Sequence, residues 1–284
     1  MVIEKAYAKL NLSLNILEKR EDGFHNLESI MVPVVDLYDV LEFEVRDDNE
    51  FNIVDDMIKD NIILKAAKLF QERYQTKGAN IRITKRIPME AGLAGGSADA
   101  SATLRGLNKL FDLNVPLTEL EELASSLGSD TVFCLYNKAA ICRGRGEILE
   151  FIDFDFKFNC WIIKPIFGIL TKDVFKNHTI SDTQINTNEI LVSLKNNNLN
   201  SLNNLITNDL YISACKVESR IKKIVDILTE NHIITHMSGS GSTLFIIDDD
   251  NKNYQEILMN VLNNNKIEYV YLENHIIKSD VKDC

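Results

Sequence analysis

The stretch PMEAGLAGGSADAS, residues 88–101, constrains the fold most, because it demands a sharp turn between a strand and a helix. The preceding residues, 79–87, have a strand pattern that ends at Pro88, and good helix formers follow from about Ser97. Glycines between these two points let the backbone curl and let an anion approach its amides. A loop of this kind at a helix N-terminus binds anions through free N–H groups and the positive end of the helix dipole.

Read alone, the same residues also fit an ordinary strand-to-helix turn made of small side chains. The loop lacks the Gly-Lys-Ser/Thr end of a P-loop, and its G-x-x-G-G spacing differs from the dinucleotide pattern. Backbone amides and the helix dipole would therefore have to hold a phosphate without a P-loop lysine. The loop suggests a nucleotide-phosphate enzyme, and the small-residue turn stays open as the alternative.

Length and composition predict a soluble globular protein. The chain has 284 residues, which allows one large domain or two ordinary ones, and 45% of them are hydrophobic. A formal charge of −11 argues against a nucleic-acid partner. No apolar run reaches the roughly 18 residues of a membrane helix, and the N-terminus has no uninterrupted signal core. We therefore expect a cytoplasmic protein with neither a nucleic-acid nor a membrane partner.

The cysteines give no sign of a disulfide framework or a zinc site. They are odd in number and scattered, without C-x-x-C or zinc-ligand spacing. Such a set is typical of small buried side chains in a reducing compartment. Their positions are Cys134, Cys142, Cys160, Cys215 and Cys284.

Hydrophobic periodicity predicts an α+β fold, because strands and helices do not alternate strictly. We place a domain boundary near residue 155, which gives domains 1–155 and 156–284. Helices are predicted at residues 61–75, about 97–111, 118–128 and 218–231, with short helices in the Asn-rich residues 177–208 and a helix-then-strand unit at 254–274. Strands are predicted at residues 10–16, 39–45, 79–87, 130–136, 139–144 and 158–165, with a strand–turn–strand unit at 233–248.

Two of these elements are predicted in more detail. The first strand alternates apolar and polar residues, which indicates one buried face. The helix at 118–128 is expected to start with Thr118 as N-cap and Glu121 as its capping-box partner, and to end at Gly128.

Several further positions could carry chemistry, although each also fits a structural role. Lys9 lies on the strand face that also carries Asn11, where a lysine usually has a carboxylate partner, but it also fits an exposed edge strand. Asp130 follows a Gly-Ser pair and also fits a plain turn residue. Residues 238–243, SGSGST, form a second Gly/Ser turn that also fits a tight hairpin. His25 next to an aromatic residue could read a planar base, whereas a lone histidine is more often structural.

Taken together, these motifs resemble those of the GHMP kinases, a family named for galactose, homoserine, mevalonate and phosphomevalonate. Residues 88–101 resemble its central phosphate-binding motif, residues 8–16 its N-terminal motif and residues 237–247 its C-terminal motif, in family order and spacing. The doubled glycine at 95–96 and the segment 8–31 are similar to the branch that acts on a cytidine-diphosphate derivative of methylerythritol. The resemblance covers residues 2–275.

The resemblance implies a fold and an activity. The fold would comprise an N-terminal α+β domain related to a ribosomal-protein fold and a C-terminal ferredoxin-like domain, with the site in the cleft between them. The activity would be ATP-dependent phosphorylation of the carbon-2 hydroxyl of 4-diphosphocytidyl-2-C-methyl-D-erythritol. That reaction belongs to the non-mevalonate route to isoprenoid precursors.

Individual roles are implied by matching positions. Asp130 matches the catalytic base, and Lys9 matches the partner that keeps it ionised and stabilises charge during transfer. Magnesium is expected with ATP; the sequence offers no carboxylate cage, and Ser97 is the candidate ligand. Phe24 and Phe175 would stack on cytosine and His25 would read its edge, so the implied substrate contacts are Asn11, Phe24, His25, Thr171 and Phe175. The implied ATP contacts are Pro88, Met89, Glu90, Ala91, Gly92, Leu93, Ala94, Gly95, Gly96, Ser97 and Ala98.

Four positions depart from the family pattern: Phe24, Glu90, Ala91 and Thr131. Phe24 stands where relatives usually carry tyrosine, which keeps the stacking surface and removes one hydroxyl. Glu90 would repel a triphosphate unless its side chain points away or pairs with a cation such as Lys85. We predict that it points away from the phosphates.

Two other functions stay open. A GHMP kinase of the homoserine or mevalonate type would have no use for the cytosine-reading residues, and a non-catalytic nucleotide-binding module would have no need of both Lys9 and Asp130. The resemblance implies a monomer or a weak homodimer and favours neither.

Overall fold

The computed structural model describes residues 1–54, 62–180, 186–248 and 253–281. Within these ranges, no helix is both long enough and apolar enough to cross a bilayer. The elements up to residue 151 are, in chain order, β1 (Val2–Lys19), β2 (His25–Val45), β3 (Asn52–Val54), α1 (Ile62–Tyr74), β4 (Ala79–Thr84), α2 (Gly95–Leu110), α3 (Leu117–Leu127), α4 (Thr131–Tyr136), β5 (Ala140–Gly144) and β6 (Ile148–Phe151). The elements that follow are β7 (Phe158–Pro165), α5 (Thr171–Lys176), α6 (Thr187–Lys195), α7 (Leu199–Leu205), α8 (Leu210–Val217), α9 (Arg220–Glu230), β8 (His236–Met237), β9 (Leu244–Asp248), α10 (Tyr254–Asn264) and β10 (Tyr269–Ile277).

The long strand β2 organises the sheet, because four other strands pair with it. β1 runs antiparallel along nearly its whole length, while β4 pairs with residues 40–45 of β2 and β5 with residues 27–31. β10 meets β2 at a single pair, Ile277 with Val34, and β7, β9 and β8 continue the sheet beyond β10. Among the described strands only β3 and β4 pair in parallel, and the predicted α+β class is confirmed.

The helices pack against this sheet and enclose two apolar clusters. One is built around Phe43, Phe70 and Phe133, and the other contains Ile163 and Leu258. Burying each of these large side chains contributes on the order of 2 kcal/mol. The predicted domain boundary near residue 155 falls between β6 and β7 and stays a prediction.

Most predicted elements are confirmed, although the first two strands begin at Val2 and His25, well before the predicted residues 10 and 39. The strand–turn–strand unit at 233–248, the helix–strand unit at 254–274 and the short helices of the Asn-rich segment are all present. Asn61, where the first helix was expected to begin, and residues 181–185 of the Asn-rich segment lie outside the described residues. The described cysteines are free thiols, and all but the half-buried Cys215 are buried; Cys284 lies outside the described part.

The predicted strand at 130–136 is wrong, because residues Thr131–Tyr136 form the helix α4. A six-residue apolar run fits a buried strand and a buried helix equally well, and its β-branched and aromatic residues favoured the strand. Packing against α2 and α3 decides the outcome, with Val132 and Phe133 buried on every side. The consequence is functional, since Asp130 stands at the start of a helix rather than in a strand.

Two detailed predictions are also wrong. β1 is buried on both faces from Ala6 to Ile16, because its polar face lies under the Gly/Ser turn between β8 and β9 rather than in water. The helix α3 begins at Leu117 with Pro116 as its N-cap, because the Pro116 carbonyl already accepts a hydrogen bond from the Glu119 amide at 3.0 Å, and the Thr118–Glu121 capping box does not form. The Glu121 carboxylate instead accepts a hydrogen bond from the Tyr136 hydroxyl. The expected end of the helix at Gly128 is confirmed.

Candidate active site

The glycine-rich loop ends at the first turn of α2, two residues earlier than predicted. Ala94 takes a left-handed conformation with φ of 58°, and no side chain caps the helix. The first hydrogen bond of the helix runs from the Ala98 amide to the Ala94 carbonyl at 2.9 Å. The amides of residues 95–97 precede that bond and point out of the helix end, as an anion site requires.

The loop is fastened to the second Gly/Ser turn. The Ser238 hydroxyl donates to the Gly92 carbonyl at 3.0 Å, and the Thr243 amide donates to the Ala91 carbonyl at 3.3 Å. Gly92 has φ of +71°, and a Cβ at this position would overlap the Ser238 carbonyl oxygen. Only glycine therefore fits between the two turns.

Lys9 joins the N-terminal strand to this pair of turns. Its Nζ donates to Asn11 Oδ1 at 2.5 Å and to the Gly92 carbonyl at 3.0 Å, and it lies 3.5 Å from Asp130 Oδ2. Lys9 is 3% exposed, whereas the Asp130 side chain is 28% exposed and faces the cleft. The structure thus brings Lys9, Asn11 and Asp130 together with the loop, and the exposed edge-strand alternative for Lys9 is wrong.

These residues line a cavity of about 630 Å³. Every implied ATP contact except Ala98 lies on its wall; Ala98 is 1% exposed and is buried under the first turn of α2. Asp130 and Thr171 lie on the same wall, and the Thr171 hydroxyl lies 2.8 Å from that of Ser240. The cavity is large enough for a nucleotide and combines apolar walls with a few polar side chains, as a small-molecule site does.

A second cavity of about 550 Å³ opens beside the first and shares Leu27, Ser129, Arg145, Thr171 and Phe175 with it. Phe24 and His25 lie on its wall, and the His25 and Phe175 rings are 5.2 Å apart. Burial, with the nearby Lys19 charge, lowers the pKa of His25, so its imidazole is neutral near pH 7. A neutral imidazole has one donor and one acceptor nitrogen, which suits the edge of a planar base.

Lys85 does not pair with Glu90. Its Nζ lies 2.5 Å from Asp39 Oδ2 and 2.7 Å from Asp99 Oδ2, beneath the loop. The Glu90 carboxylate instead turns toward Gly168, where a Cβ would overlap it. Its orientation relative to bound phosphates stays a prediction.

Asp99 should make the stability of the protein depend on pH. Burial and then the Asp39 charge outweigh Lys85 and raise the pKa of Asp99 from 3.8 to about 7. Because the native state keeps this proton while the unfolded chain loses it, the free energy of unfolding should fall as pH rises from about 4 to 7. Asp99→Asn removes this titration. Between about pH 5.5 and 8, the stability of Asp99→Asn relative to wild type should therefore rise by about 2 kcal/mol.

Urea unfolding at both pH values measures this change. Asp155→Asn, at an exposed position, is the matched control and should track wild type at both values. A difference between Asp99→Asn and wild type that stays constant with pH would contradict the shifted titration.

The cavity offers few protein ligands for a metal ion. Among the described residues, no three histidine, cysteine or acidic side chains form a group that could hold one. Asp99 is held by Lys85, and Asp130 lies beside Lys9. Ser97 lies on the cavity wall, as do the loop amides. The Ser97 hydroxyl fits a magnesium ion held mainly by the phosphates of ATP and by water, and the loop amides fit the phosphates themselves.

Four residues of the site have no role in the sequence interpretation: Asp39, Asp99, Ser129 and Arg145. The RGRGE segment at 143–147 was a signal for Arg145, since glycines on both sides of an arginine are typical of a turn that exposes its charged side chain. Nothing local marks Lys85 or Asp39, because they meet only when β2 pairs with β4.

Comparisons with known proteins agree with this geometry. The family model for the GHMP kinases N terminal domain matches residues 61–138. Two relatives from Staphylococcus aureus, strains bovine RF122 / ET3-1 and Newman, provisionally named 4-diphosphocytidyl-2-C-methyl-D-erythritol kinase, are each 42% identical over 256 residues, 86% of this chain and 89% of theirs. A solved 4-(cytidine 5'-diphospho)-2C-methyl-D-erythritol kinase superposes with a TM-score of 0.80 at 26% identity, over 97% of this chain and 99% of its own.

More distant structures share the fold. Homoserine kinase from Cytophaga hutchinsonii superposes with a TM-score of 0.73 at 15% identity, over 99% of this chain and 95% of its own. The GHMP kinase fold expected from the sequence motifs is therefore confirmed. With 42% identity to relatives over most of its length, the chain belongs to the 4-diphosphocytidyl-2-C-methyl-D-erythritol kinase family of GHMP kinases.

Proposed function

We propose that the chain transfers the γ-phosphate of ATP to the carbon-2 hydroxyl of 4-(cytidine 5'-diphospho)-2-C-methyl-D-erythritol, in isoprenoid precursor synthesis. One observation carries the proposal. The Lys9–Asp130 pair lies on the wall of the amide-rich loop cavity, and Ser129, the residue before Asp130, also lines the adjoining cavity that holds Phe24, His25 and Phe175. A reacting hydroxyl at Asp130 would be within reach of a phosphate on the loop and of a base held among the aromatic rings.

Asp130 would act as the general base. Its carboxylate would take the proton of the tertiary hydroxyl as that oxygen bonds to the γ-phosphorus, and the bond from phosphorus to the bridging oxygen would break to release ADP. Lys9, fixed by Asn11 and the Gly92 carbonyl, would hold Asp130 in place and stabilise the negative charge on the transferred group. Magnesium, where bound, supplies charge neutralisation of the ATP phosphates, with Ser97 the candidate protein ligand.

Recognition of the two substrates would be divided between the two cavities. The amides of residues 95–97 would bind ATP phosphates, and Phe24 and Phe175 would stack on cytosine while His25 contacts its edge. Asn11 and Thr171 would contact the substrate between these points. A monomeric or weakly dimeric state, a cytoplasmic location and the domain division at residue 155 stay predictions.

A substrate panel tests the function against its nearest rival. With purified protein and ATP, we expect kcat/KM for the cytidyl substrate to exceed that for homoserine or mevalonate by at least about 10⁴-fold, because those alcohols leave the cytosine-reading groups unfilled. The measurement is ADP release at matched substrate concentrations. Preferred turnover of homoserine or mevalonate would replace the proposal with the rival.

A further inference from the structure

We propose that Arg145 binds the diphosphate of the cytidyl substrate and so sets its position between the two cavities. The inference rests on the proposed function, since it concerns the substrate named there. Its starting point is location: Arg145 lies on the wall of both cavities. The diphosphate joins the cytidine to the methylerythritol, so it must pass from one cavity to the other.

The turn between β5 and β6 places Arg145 beside Asp130, the proposed catalytic base. A Cβ at Gly146, the next residue, would lie 3.3 Å from the Ser129 carbonyl oxygen and 3.7 Å from Asp130 Oδ1. The turn therefore packs closely against the start of α4. This contact fixes the backbone of Arg145 relative to the carboxylate at which the hydroxyl would react.

The side chain of Arg145 extends from Asp130 toward the aromatic cavity. Its guanidinium carbon lies 5.1 Å from the centre of the Phe24 ring, a cation–π distance. The guanidinium thus lies next to Phe24, the ring that the resemblance implies stacks on cytosine. The backbone of Arg145 lies next to Asp130, the proposed catalytic base. Arg145 therefore extends from Asp130 to the Phe24 ring, which is the same path that the diphosphate of the substrate has to follow.

The charge of Arg145 is only partly compensated. Its Nε lies 3.4 Å from Glu147 Oε1, a long contact, while its backbone amide donates to Glu147 Oε2 at 2.6 Å. None of the hydrogen bonds among the described residues engages its two terminal NH2 groups. These groups form the planar fork that binds phosphate oxygens in pairs.

The other cations nearby are less suited to the diphosphate. Lys9 and Lys85 line only the first cavity, and carboxylates lie next to both. Lys19, Lys172 and Lys176 line only the second cavity and are exposed. Of the cations in the described parts of the chain, Arg145 is the one on both walls.

Calorimetric binding of cytidine and of CDP to the full chain tests the assignment. Arg145→Met keeps the length and the apolar stem and removes the charge. We expect it to weaken CDP binding by about tenfold or more, the value of a charge-assisted hydrogen bond, and to leave cytidine binding within about twofold. Arg145→Lys should recover part of the loss. Arg143→Met is the matched control, since Arg143 faces Glu28 and Glu150 instead, and should bind both ligands as wild type does.

Three other binding results would contradict the assignment of Arg145 to the diphosphate. Equal weakening of cytidine and CDP would show that Arg145 only supports the Phe24 ring, and unchanged CDP binding would show that the phosphates lie elsewhere; both overturn the assignment while leaving the kinase proposal standing. A wild-type protein that binds neither ligand would remove the proposed function together with the inference.

Discussion

Replacing Asp130 with asparagine should lower kcat by about three orders of magnitude while the protein stays folded. General bases contribute about 10²- to 10⁴-fold to such reactions, and asparagine cannot accept the proton. The protein should stay folded, because the Asp130 side chain caps no helix and is partly exposed. Losing the carboxylate 3.5 Å away leaves the buried Lys9 charge with only the Asn11 and Gly92 oxygens as acceptors, which should cost about 3 kcal/mol.

Steady-state ADP release measures kcat for this variant, and circular dichroism with thermal unfolding measures its fold. Asp155→Asn carries the same chemical change at an exposed residue outside both cavities and should retain wild-type turnover. An Asp130→Asn variant with near-full turnover would mean that another group takes the proton.

Replacing Gly92 with alanine should destabilise the protein by about 3 kcal/mol. The left-handed backbone at φ of +71° costs a residue with a Cβ about 1 to 2 kcal/mol, and the overlap with the Ser238 carbonyl adds an overpacking cost of about the same size. Because this contact joins the loop to the second Gly/Ser turn, turnover should fall with stability. Urea unfolding gives the free energy, and ADP release gives the rate.

Gly96→Ala is the matched comparison, since the same methyl group is added four residues away. Gly96 has no neighbouring atom within 4 Å of the added Cβ, which would project into the cavity beside the amides of α2. Its free energy of unfolding should stay within about 0.5 kcal/mol of wild type, while KM for ATP should rise by about tenfold. Equal stability of the two variants would contradict the close packing of the loop at Gly92. An unchanged KM for ATP in Gly96→Ala would show that the ATP phosphates do not bind at the N-terminus of α2.

The loop and its partners were predictable because their signals are local. Pro88 ends a strand pattern, glycines permit the turn, and helix formers follow, so the start of α2 was expected within two residues of Gly95. The meeting of Lys9, Asp130 and the second turn needed more than local chemistry. It followed from the joint match to a family, because no spacing rule in one chain says that residues 9, 130 and 238 share a cleft.

The parts that could not be predicted depend on tertiary contacts. Residues 131–136 satisfy a strand and a helix equally, and packing on α2 selects the helix. From the sequence, Lys85 could pair with Glu90. The pairing of β2 with β4 instead places the Asp39 carboxylate next to Lys85. Arg145 lies on the walls of two cavities because the fold brings them together, which no local pattern indicates.

The most direct test of the account is ADP release by the wild-type protein with and without 4-(cytidine 5'-diphospho)-2-C-methyl-D-erythritol, with phosphorus NMR of the product. We expect ADP to form only when this substrate is present, with one phosphomonoester for each ADP and the new phosphate attached at carbon 2. ATP hydrolysis that ignores the cytidyl substrate, or no phosphoryl transfer to it, would contradict the central claim.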